Sequence, residues 1–294
     1  MQDVSGRTAF ITGGAQGIGF GIARAFAHAG ARVALVDIDE ERLAAAGQEL
    51  AAVTHVLDVR DRDAFARVVD EVEDRLGPIA VLCNNAGVGG TGLAATLTYA
   101  EWDRVLGINL GGVVNGVQTV LPRMLARGGP GHIVNVASAA GLVGGSGITY
   151  ATSKFAVVGL TESLHHDPEL RRHGIGVTVV CPGFVRTQIV DHSLRAAGLD
   201  RTADPRIATM EEALQRYGLS PDVVGEQVLD GVREDRLYVQ TDRMLAGPIE
   251  ERTREILAAL PPETERDHEV TQVLAAAIAA ARADADGGSV GTGP

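Results

Sequence analysis

The sequence predicts a doubly wound α/β fold, in which helices cover both faces of a parallel sheet of about seven strands. Apolar runs typical of buried strands alternate with segments of helical periodicity over most of the chain. Glycine or polar residues follow where these strands are expected to end, as in the stretch from Gly13 to Gly19. Because the carboxyl ends of parallel strands share one edge of the sheet, we expect ligands to bind there.

Composition and charge limit the classes of function. The chain has 294 residues, of which 45% are hydrophobic, enough for one large core with an appendage. A formal charge of −12 disfavours binding to nucleic acid or to an anionic membrane surface. No apolar stretch of about 18 residues predicts a membrane span, and no secretory signal follows Met1, so we expect a cytoplasmic protein.

The cysteines and histidines predict neither a disulfide framework nor a metal site. Cys83 and Cys181 each end an apolar run, which indicates buried strand ends in a reducing compartment. The adjacent histidines His165 and His166 lack the spacing and the third donor of a metal site. We therefore expect no bound metal.

The first βαβ unit is typical of a Rossmann-type nucleotide site. A strand at about Arg7–Thr12 leads through a glycine-rich turn into a helix that ends near Ala29, and a second strand spans Arg32–Asp37. Glycines let the backbone approach a pyrophosphate, and the amides at a helix start hold its charge. The spacing is Gly-x3-Gly-x-Gly, which matches the general Gly-x-Gly-x-x-Gly fingerprint only loosely. The candidate contacts in this turn are Gly13, Gln16, Gly17, Ile18 and Gly19.

Asp37 indicates which dinucleotide binds. It ends the second strand 20 residues after Gly17, where a carboxylate would bind the two hydroxyls of the adenosine ribose. A 2′-phosphate would be repelled, and the turn carries Gln16 instead of a basic residue, so we predict NAD over NADP. The alternative is that Asp37 caps the following helix, Asp39–Leu50.

The next strands bring further polar groups to the same edge. We predict strands at Val53–Val59 and Ile79–Asn84, a helix at Asp61–Leu76, and a long helix at Tyr99–Arg127. Asp58 and Val59 close the first of these strands, and Asn85, Ala86 and Gly87 follow the second. We predict that all five of these residues contact the cofactor. Asn84 either binds the ligand or ties neighbouring strands together, and we favour the second role.

The second half of the domain contributes two more strand ends. A strand at His132–Ala137 ends at Ser138, and a strand at Ile175–Cys181 ends at Pro182 and Gly183. Val185 and Thr187 follow, and the threonine hydroxyl and backbone amides there would reach a nicotinamide carboxamide. Residues 188–217 show no strand period and are predicted to form a lid of short helices.

Tyr150 and Lys154 lie four residues apart on the predicted helix Thr149–His173, so that they share one helical face. A nearby ammonium favours the phenolate, which lowers the pKa of a tyrosine and makes it a general acid/base at milder pH. The alternative is an ordinary pair of surface side chains. Which applies depends on the rest of the chain.

The C-terminal part changes in composition. Ser220 and Pro221 begin a predicted helix that ends near Glu234, and a short strand follows at Arg236–Gln240. We take residues 1–241 as a Rossmann-type α/β domain, residues 242–283 as a helical extension, and residues 284–294 as a disordered tail.

These motifs occur together in one order. The chain carries Thr12-Gly-x3-Gly-x-Gly19, then Asn84-Asn-Ala-Gly87, Ser138, Tyr150-x3-Lys154 and Pro182-Gly183. Over residues 3–241 it resembles the short-chain dehydrogenase/reductase family. The resemblance implies that Tyr150 is the acid/base, that Ser138 binds the substrate oxygen, that Lys154 lowers the tyrosine pKa and binds the nicotinamide ribose, and that Asn109 extends a proton relay. It also implies a homotetramer or homodimer, formed through the two long helices.

The expected reaction is the interconversion of a secondary alcohol and a ketone with NAD. The candidate pocket residues Leu142, Val143, Phe184 and Ile189 are apolar, which predicts a bulky hydrophobic substrate, although Arg186 stays open as an anion contact. The C-terminal part is similar to that of dehydrogenases acting on aryl-ether alcohols and other large aromatic or polycyclic substrates. Two alternatives are a nucleotide-sensing regulator without catalysis and an epimerase or dehydratase of nucleotide sugars, against which the glycine spacing argues.

Overall fold

The chain divides into two units, Met1–Ala246 and Gly247–Pro294, in a computed structural model. The structure describes residues 1–90, 94–145, 147–187, 189 and 205–287. The boundary between the units falls five residues after the one predicted from the sequence at residue 241. Most of the predicted lid lies outside the described residues, which include only Ile189 and the segment from residue 205 onward.

Seven parallel strands form one sheet, which confirms the predicted fold class. The spatial order is β3-β2-β1-β4-β5-β6-β7. The strands are β1 Thr8–Thr12, β2 Arg32–Asp37, β3 Val53–Val56, β4 Ile79–Asn84, β5 Gly131–Val136, β6 Ile175–Cys181 and β7 Tyr238–Gln240. The order reverses between β1 and β4, and a crevice at the carboxyl edge opens at such a point.

The helices occur between the strands, as the alternating pattern predicts. In the first half they are α1 Gly17–His28, α2 Glu40–Leu50, α3 Arg62–Leu76, α4 Tyr99–Leu106 and α5 Gly112–Arg127. In the second half they are α6 Ile148–His166, α7 Pro168–Arg172, α8 Pro205–Tyr217, α9 Pro221–Arg233, α10 Ala246–Ala258 and α11 Glu265–Gly287. Short 3-10 turns occur at Ala94–Thr96 and Ala139–Gly141.

Alternation along the strands builds two cores. Phe10 and Ile11 are both fully buried, yet they belong to opposite faces of the sheet because successive strand side chains point in opposite directions. The face of Phe10 packs against α3, α5 and α6, and the face of Ile11 packs against α1, α2 and α9. Cys83 and Cys181 are buried free thiols at the ends of their strands, as expected.

The predicted ends of β3 and of the helix that follows β5 were wrong. Strand β3 ends at Val56 instead of Val59, so Asp58 and Val59 lie in the loop beyond it. The single helix predicted over Thr149–His173 is two helices, because Pro168 has no amide hydrogen to donate and restricts the residue before it. Asp167 leaves the helical conformation at this break and caps α7 by accepting a hydrogen bond from the Glu169 amide at 2.8 Å.

The predicted long helix Tyr99–Arg127 is present with a wide turn in its middle. Residues Gly107–Gly111 form a π-helical turn between α4 and α5, and this turn carries Asn109. The whole segment is long and apolar enough to cross a membrane by length and composition alone. Its α5 half packs against the sheet, where Val117 and Val120 are buried.

Helices α1 and α9 meet at a pair of glycines. A Cβ atom at Gly21 would overlap the Pro221 carbonyl oxygen, and one at Gly225 would overlap the carbonyl oxygen of Gly21. Only backbone atoms are in the way, so the neighbours cannot yield by rotating a side chain. The two helices therefore approach each other as closely as their backbones allow.

Replacing Gly21 with alanine is expected to destabilise the protein by about 1–3 kcal/mol, the usual cost of overpacking a close contact. Chemical unfolding followed by circular dichroism would measure this change. Gly159→Ala is the matched control, because a Cβ there would meet no atom within 4 Å and alanine favours a helix. Equal stability of Gly21→Ala and wild type would contradict the close contact.

The C-terminal unit consists of most of α10 together with α11. The exposed side chains of these helices include Leu257, Val273 and Ile278. Helix α11 continues to Gly287, four residues beyond the end predicted from the sequence at Ala283, so that the first part of the predicted disordered tail is helical. Residues 288–294 lie outside the described part of the chain.

Candidate active site

A cavity of about 310 Å³ opens at the carboxyl edge of the sheet, where the strand order reverses. We call it the active-site cavity. The predicted residues that line it are Gly13, Gln16, Gly17, Ile18, Asp37, Asp58, Val59, Asn85, Ala86, Gly87, Ser138, Tyr150, Lys154, Pro182, Gly183, Val185, Thr187 and Ile189. Gly19 and Asn109, also predicted, are not among the described lining residues. Residues that the sequence did not single out complete it: Ile38, Leu57, Arg60, Val88, Ile108, Val136, Ala137 and Leu214.

The glycine turn needs its glycines for two different reasons. Gly13 and Gly17 have positive φ angles of 63° and 56°, a conformation that side chains disfavour. A Cβ at Gly19 would overlap the Gly13 carbonyl oxygen, so Gly19 lets helix α1 start directly under the turn. A Cβ at Gly17 would instead point toward Thr187 Cγ2, at 3.4 Å. The turn and the loop after β6 therefore face each other across the cavity.

Asp37 is held by two backbone amides. Its Oδ2 accepts a hydrogen bond from Ala15 in the glycine turn at 3.1 Å, and its Oδ1 accepts one from Asp39 at 3.1 Å. The cap of helix α2 is Asp39, which accepts a hydrogen bond from the Arg42 amide. The alternative that Asp37 caps this helix was therefore wrong, and its carboxylate lines the cavity beside the turn.

A basic residue does lie next to the glycine turn. The Arg42 guanidinium, from helix α2, hydrogen-bonds to Gln16 Oε1 and forms an ion pair with Asp39 at 3.4 Å. Arg42 was not predicted from the sequence, because it lies outside the glycine turn. Its position one helical turn after the Asp39 cap was the available signal that it could reach this turn.

Asp58 and Arg60 pair at the far end of the cavity. Arg60 donates from Nε to both carboxylate oxygens at 3.0 Å and from Nη2 to Oδ2 at 2.6 Å. The hydrogen bond and charge of Arg60 lower the pKa of Asp58. This pair adds a fixed ionic group beyond Asp37, next to Val59.

The loop after β4 is fastened to the glycine turn. Thr12 Oγ1 accepts hydrogen bonds from the Asn85 and Ala86 amides at 2.9 Å and 3.0 Å. The Asn85 side chain donates in return to the carbonyls of Thr12 and Gly13 at 2.9 Å and 3.0 Å. Asn85 therefore fixes the relative position of the two loops, with its polar side chain bound to backbone.

Ser138, Tyr150 and Lys154 come together inside the cavity, although they belong to different elements. Ser138 lies after β5 and caps the short turn Ala139–Gly141, accepting a hydrogen bond from Ala140 at 3.1 Å. The Ser138 hydroxyl also faces the Tyr150 phenol closely enough to lower the pKa of the phenol. Gly141 brings this turn against α6, since a Cβ there would lie 2.7 Å from the Lys154 carbonyl oxygen. Ser138 therefore caps this turn and also lines the cavity beside Tyr150.

Burial controls the protonation of the pair on α6. It raises the pKa of Tyr150, and the hydrogen bond from Ser138 partly opposes that rise. Burial also lowers the pKa of Lys154 to about 8. The Lys154 Nζ is 5.6 Å from the centre of the tyrosine ring and donates to the Val136 carbonyl at 2.9 Å. The expected lowering of the tyrosine pKa by Lys154 is therefore absent here, because desolvation of the phenol dominates.

Asn109 is completely buried in the π-helical turn. Its Oδ1 accepts from the Val88 amide at 2.8 Å, and its Nδ2 donates to the Val88 carbonyl at 2.9 Å and to Ser153 Oγ at 3.0 Å. A Cβ at Gly87 would lie 3.3 Å from Asn109 Oδ1 and 3.5 Å from Lys154 Nζ. Asn109 therefore lies near the lysine and braces the loop after β4 against helix α6.

A chain of buried polar side chains supports the site from below. Asn84 Nδ2 donates to Asn135 Oδ1 at 2.9 Å, which ties β4 to β5 as predicted for Asn84. Asn135 donates to Thr161 Oγ1 at 3.0 Å, and Thr161 donates to the Val157 carbonyl at 2.6 Å. The sequence did not identify Asn135 or Thr161. Polar residues within an apolar strand and an apolar helix face were the only signal.

Only one of the four apolar residues predicted to form the substrate pocket is among the described lining residues of the cavity. Ile189 lines it together with Leu214 of α8, whereas Leu142, Val143 and Phe184 are not among its described lining residues. Leu142 packs against the core instead. Arg186 is exposed and is likewise absent from the described lining. Within the described chain, no group of three His, Cys, Asp or Glu side chains could hold a metal ion.

The sequence that carries the glycine turn, Ser138, Tyr150 and Lys154 matches the model of a known family. Residues 7–197 match the family model described as short chain dehydrogenase. The chain belongs to the short-chain dehydrogenase family. Its members are oxidoreductases, and the resemblance inferred from the motifs is thereby confirmed.

Individual relatives in this family share most of the chain. It is 38% identical to the C alpha-dehydrogenase of Sphingobium sp. strain SYK-6 over 251 residues, which cover 81% of each chain. A short-chain dehydrogenase from Novosphingobium aromaticivorans superposes with a TM-score of 0.81 and 34% identity, covering 97% of this chain and 100% of that one. A short-chain dehydrogenase/reductase from Burkholderia phymatum in complex with NAD gives a TM-score of 0.82 and 30% identity, covering 90% and 99%.

Proposed function

We propose that the protein interconverts a secondary alcohol and a ketone, with NAD as its redox partner and a bulky hydrophobic substrate. The observation that carries this proposal is that Ser138, Tyr150 and Lys154 line one cavity together with the glycine turn and Asp37. A phenol and a hydroxyl on one substrate oxygen, next to a dinucleotide cleft, suit this reaction class.

The residues of the cavity fit a dinucleotide. The glycine turn exposes amides at the start of α1, and its Gly17 has no side chain in the way of a diphosphate. Asp37 projects beside this turn, at the position where a carboxylate binds the hydroxyls of an adenosine ribose. Asp58 and Val59 would hold the adenine, and Thr187 would cover the diphosphate and carboxamide. When bound, the nicotinamide supplies the acceptor or donor of hydride.

The proton is handled by the chain's own residues. Tyr150 would accept the alcohol proton during oxidation or return it to the carbonyl oxygen during reduction. Ser138 would donate a hydrogen bond to the same oxygen and stabilise charge that develops on it. Lys154, 4% exposed, would bind the nicotinamide ribose with its ammonium and place a positive charge near the phenol. Asn109 would hold this group of residues in place.

A large apolar substrate is supported by the lining of the cavity beyond Tyr150. Ile189 and Leu214 are apolar residues of this lining, and neither carries charge. The relative from Sphingobium is named a C alpha-dehydrogenase, which suits an alcohol carbon next to a larger group. We therefore favour aromatic or polycyclic secondary alcohols as the substrate class.

A screen of NAD reduction tests the proposed function. Purified protein would be assayed with aryl-substituted, steroidal and short aliphatic secondary alcohols, and NADH formation would be followed by absorbance. We expect turnover of aryl or polycyclic alcohols with kcat/KM at least about tenfold above that of short aliphatic ones, since each buried CH₂ is worth about 0.8 kcal/mol. A preference for short aliphatic alcohols would overturn the substrate class, and oxidation of none of these alcohols would overturn the reaction.

The rates of oxidation and of reduction are expected to change with pH in opposite senses. Oxidation needs the base form of Tyr150 and reduction needs its acid form, and burial raises the pKa of this phenol. Oxidation should therefore rise and reduction fall as the pH increases, each by up to about tenfold per unit. Initial rates in both directions with one alcohol and its ketone would measure this. Parallel profiles in the two directions would contradict the assignment of Tyr150.

A further inference from the structure

A second pocket lies at the opposite edge of the sheet from the active-site cavity. It has a volume of about 250 Å³, and its side chains with charge are Arg7, Arg32 and Arg127. Arg7 directly precedes β1, Arg32 begins β2, and Arg127 ends α5. The amino ends of parallel strands share one edge, so three arginines distant in sequence converge there. We call this site the arginine pocket.

Two of the three guanidinium groups have no ionic partner within the described structure. Arg7 and Arg32 form no ion pair with any described carboxylate, in a chain whose formal charge is −12. Arg32 Nη2 lies over the backbone, since a Cβ at Gly77 would be 3.6 Å from it. A cluster of uncompensated positive charge is unexpected in so acidic a protein, and it attracts anions.

Arg127 differs from the other two because it is partly engaged. Its Nη1 lies 3.5 Å from Glu73, a carboxylate that also pairs with Arg123 at 3.1 Å, and its Nη2 donates to the Ile79 carbonyl. Burial lowers the pKa of Arg127, and the positive charge of Arg7 lowers it further. The like charges of Arg7 and Arg127 thus act on each other, and a bound anion would relieve that repulsion.

The floor of the arginine pocket is open backbone. Gly6, Gly128 and Gly129 line it with positive φ angles of 67°, 67° and 86°, and a Cβ at any of them would meet no atom within 4 Å. Among the described residues, the lining of the pocket encloses a free volume of about 250 Å³. The pocket can therefore accept a small ligand.

We propose that the arginine pocket binds a small phosphate dianion, either inorganic phosphate or the phosphate group of a monoester. Guanidinium groups bind phosphate oxygens in pairs of parallel hydrogen bonds, and Arg7 and Arg32 can each offer such a pair. A phosphate monoester carries about −1.5 to −2 charges at neutral pH, which matches the two uncompensated arginines better than a single carboxylate does. A volume of about 250 Å³ suits a phosphate with a short substituent.

The site is separate from the catalytic one. Its lining shares no residue with that of the active-site cavity within the described chain. Arg7 and Gly13 are joined by strand β1, whose residues each advance about 3.3 Å, so the two sites are roughly 20 Å apart. A ligand in the arginine pocket would contact the amino ends of β1 and β2, whose carboxyl ends carry Gly13 and Asp37.

Calorimetric titration with sodium phosphate at constant ionic strength tests this proposal. The protein would be saturated with NADH, because the glycine turn also offers amides to phosphate. The variant Arg7→Gln/Arg32→Gln is compared with Arg62→Gln/Arg67→Gln, which removes the same charge from exposed positions of α3. We expect saturable binding to the wild type and the control, and affinity at least tenfold weaker in the first variant.

Several outcomes would overturn the proposal. They are the absence of saturable phosphate binding, equal affinity in the Arg7→Gln/Arg32→Gln variant, and an equal loss in both double variants. A parallel titration with glycerol phosphate identifies the source of the anion: tighter binding than inorganic phosphate indicates a monoester, and weaker binding indicates free phosphate. If NADH does not bind, the same comparison of variants is made without it, so that failure of the cofactor proposal remains distinguishable.

Discussion

Replacing Tyr150 with phenylalanine is expected to lower kcat by about a thousandfold, because a positioned general acid/base contributes about 10² to 10⁴ in rate. The variant keeps the ring that packs beside Lys154 Nζ, and it removes only the hydroxyl that faces Ser138. Binding of NADH should change by no more than about twofold, since the phenol handles the substrate proton. Steady-state rates and fluorescence titration of NADH would measure the two quantities.

A matched control for this variant is Tyr99→Phe. Tyr99 is 88% exposed at the start of α4, and it is not among the described residues that line the active-site cavity. It should retain wild-type turnover and confirm that loss of a tyrosine hydroxyl is harmless elsewhere. Turnover of Tyr150→Phe within a factor of about ten of wild type would remove Tyr150 from the acid/base role.

The fold was predictable because its periodicity is strong. Strands β1, β2, β4 and β6 lie within one residue of their predicted bounds, since each is an apolar run that ends in a glycine or polar signal. The predictions failed where local chemistry interrupts a period. Pro168 divided an otherwise continuous helix, and β3 stopped at Val56 although apolar residues continue to Val59.

The site was predictable as a set of residues but not as a set of contacts. Motif spacing placed Ser138 and Tyr150 at one edge, and the cavity brings them together. Spacing could not show that burial raises the pKa of Tyr150, because burial depends on the completed fold. Nor could it show the bond from Asn135 to Thr161, which joins positions 26 residues apart.

Arg42 is the clearest example of a contact that the sequence did not predict. The preference for NAD was argued from Asp37 and from the absence of a basic residue in the glycine turn. The structure brings Arg42 to Gln16 from the following helix, with Asp39 as its ionic partner. Two opposing charges therefore lie beside the glycine turn, and we expect their balance to set which cofactor is preferred.

Replacing Asp37 with alanine is expected to shift cofactor preference from NAD toward NADP. Removing a carboxylate that bonds to ribose hydroxyls costs about 1.5–3 kcal/mol, or roughly tenfold to a hundredfold in kcat/KM for NAD. Use of NADP should improve, because the charge that repels a 2′-phosphate is gone. Asp37→Asn is the second variant, since its single amide oxygen can keep one of the two hydrogen bonds from the Ala15 and Asp39 amides while the charge is removed.

The outcome for NADP separates the two charged groups. If Arg42 binds the 2′-phosphate once Asp37 is neutral, adding Arg42→Gln to Asp37→Ala should abolish the gain with NADP and leave kcat/KM for NAD unchanged. Coupled assays with both cofactors at one substrate concentration would measure all four proteins. A wild type that prefers NADP would show that Arg42 outweighs Asp37 in the native site. In that case Arg42→Gln alone should reverse the preference, because the guanidinium would be the group that binds the phosphate.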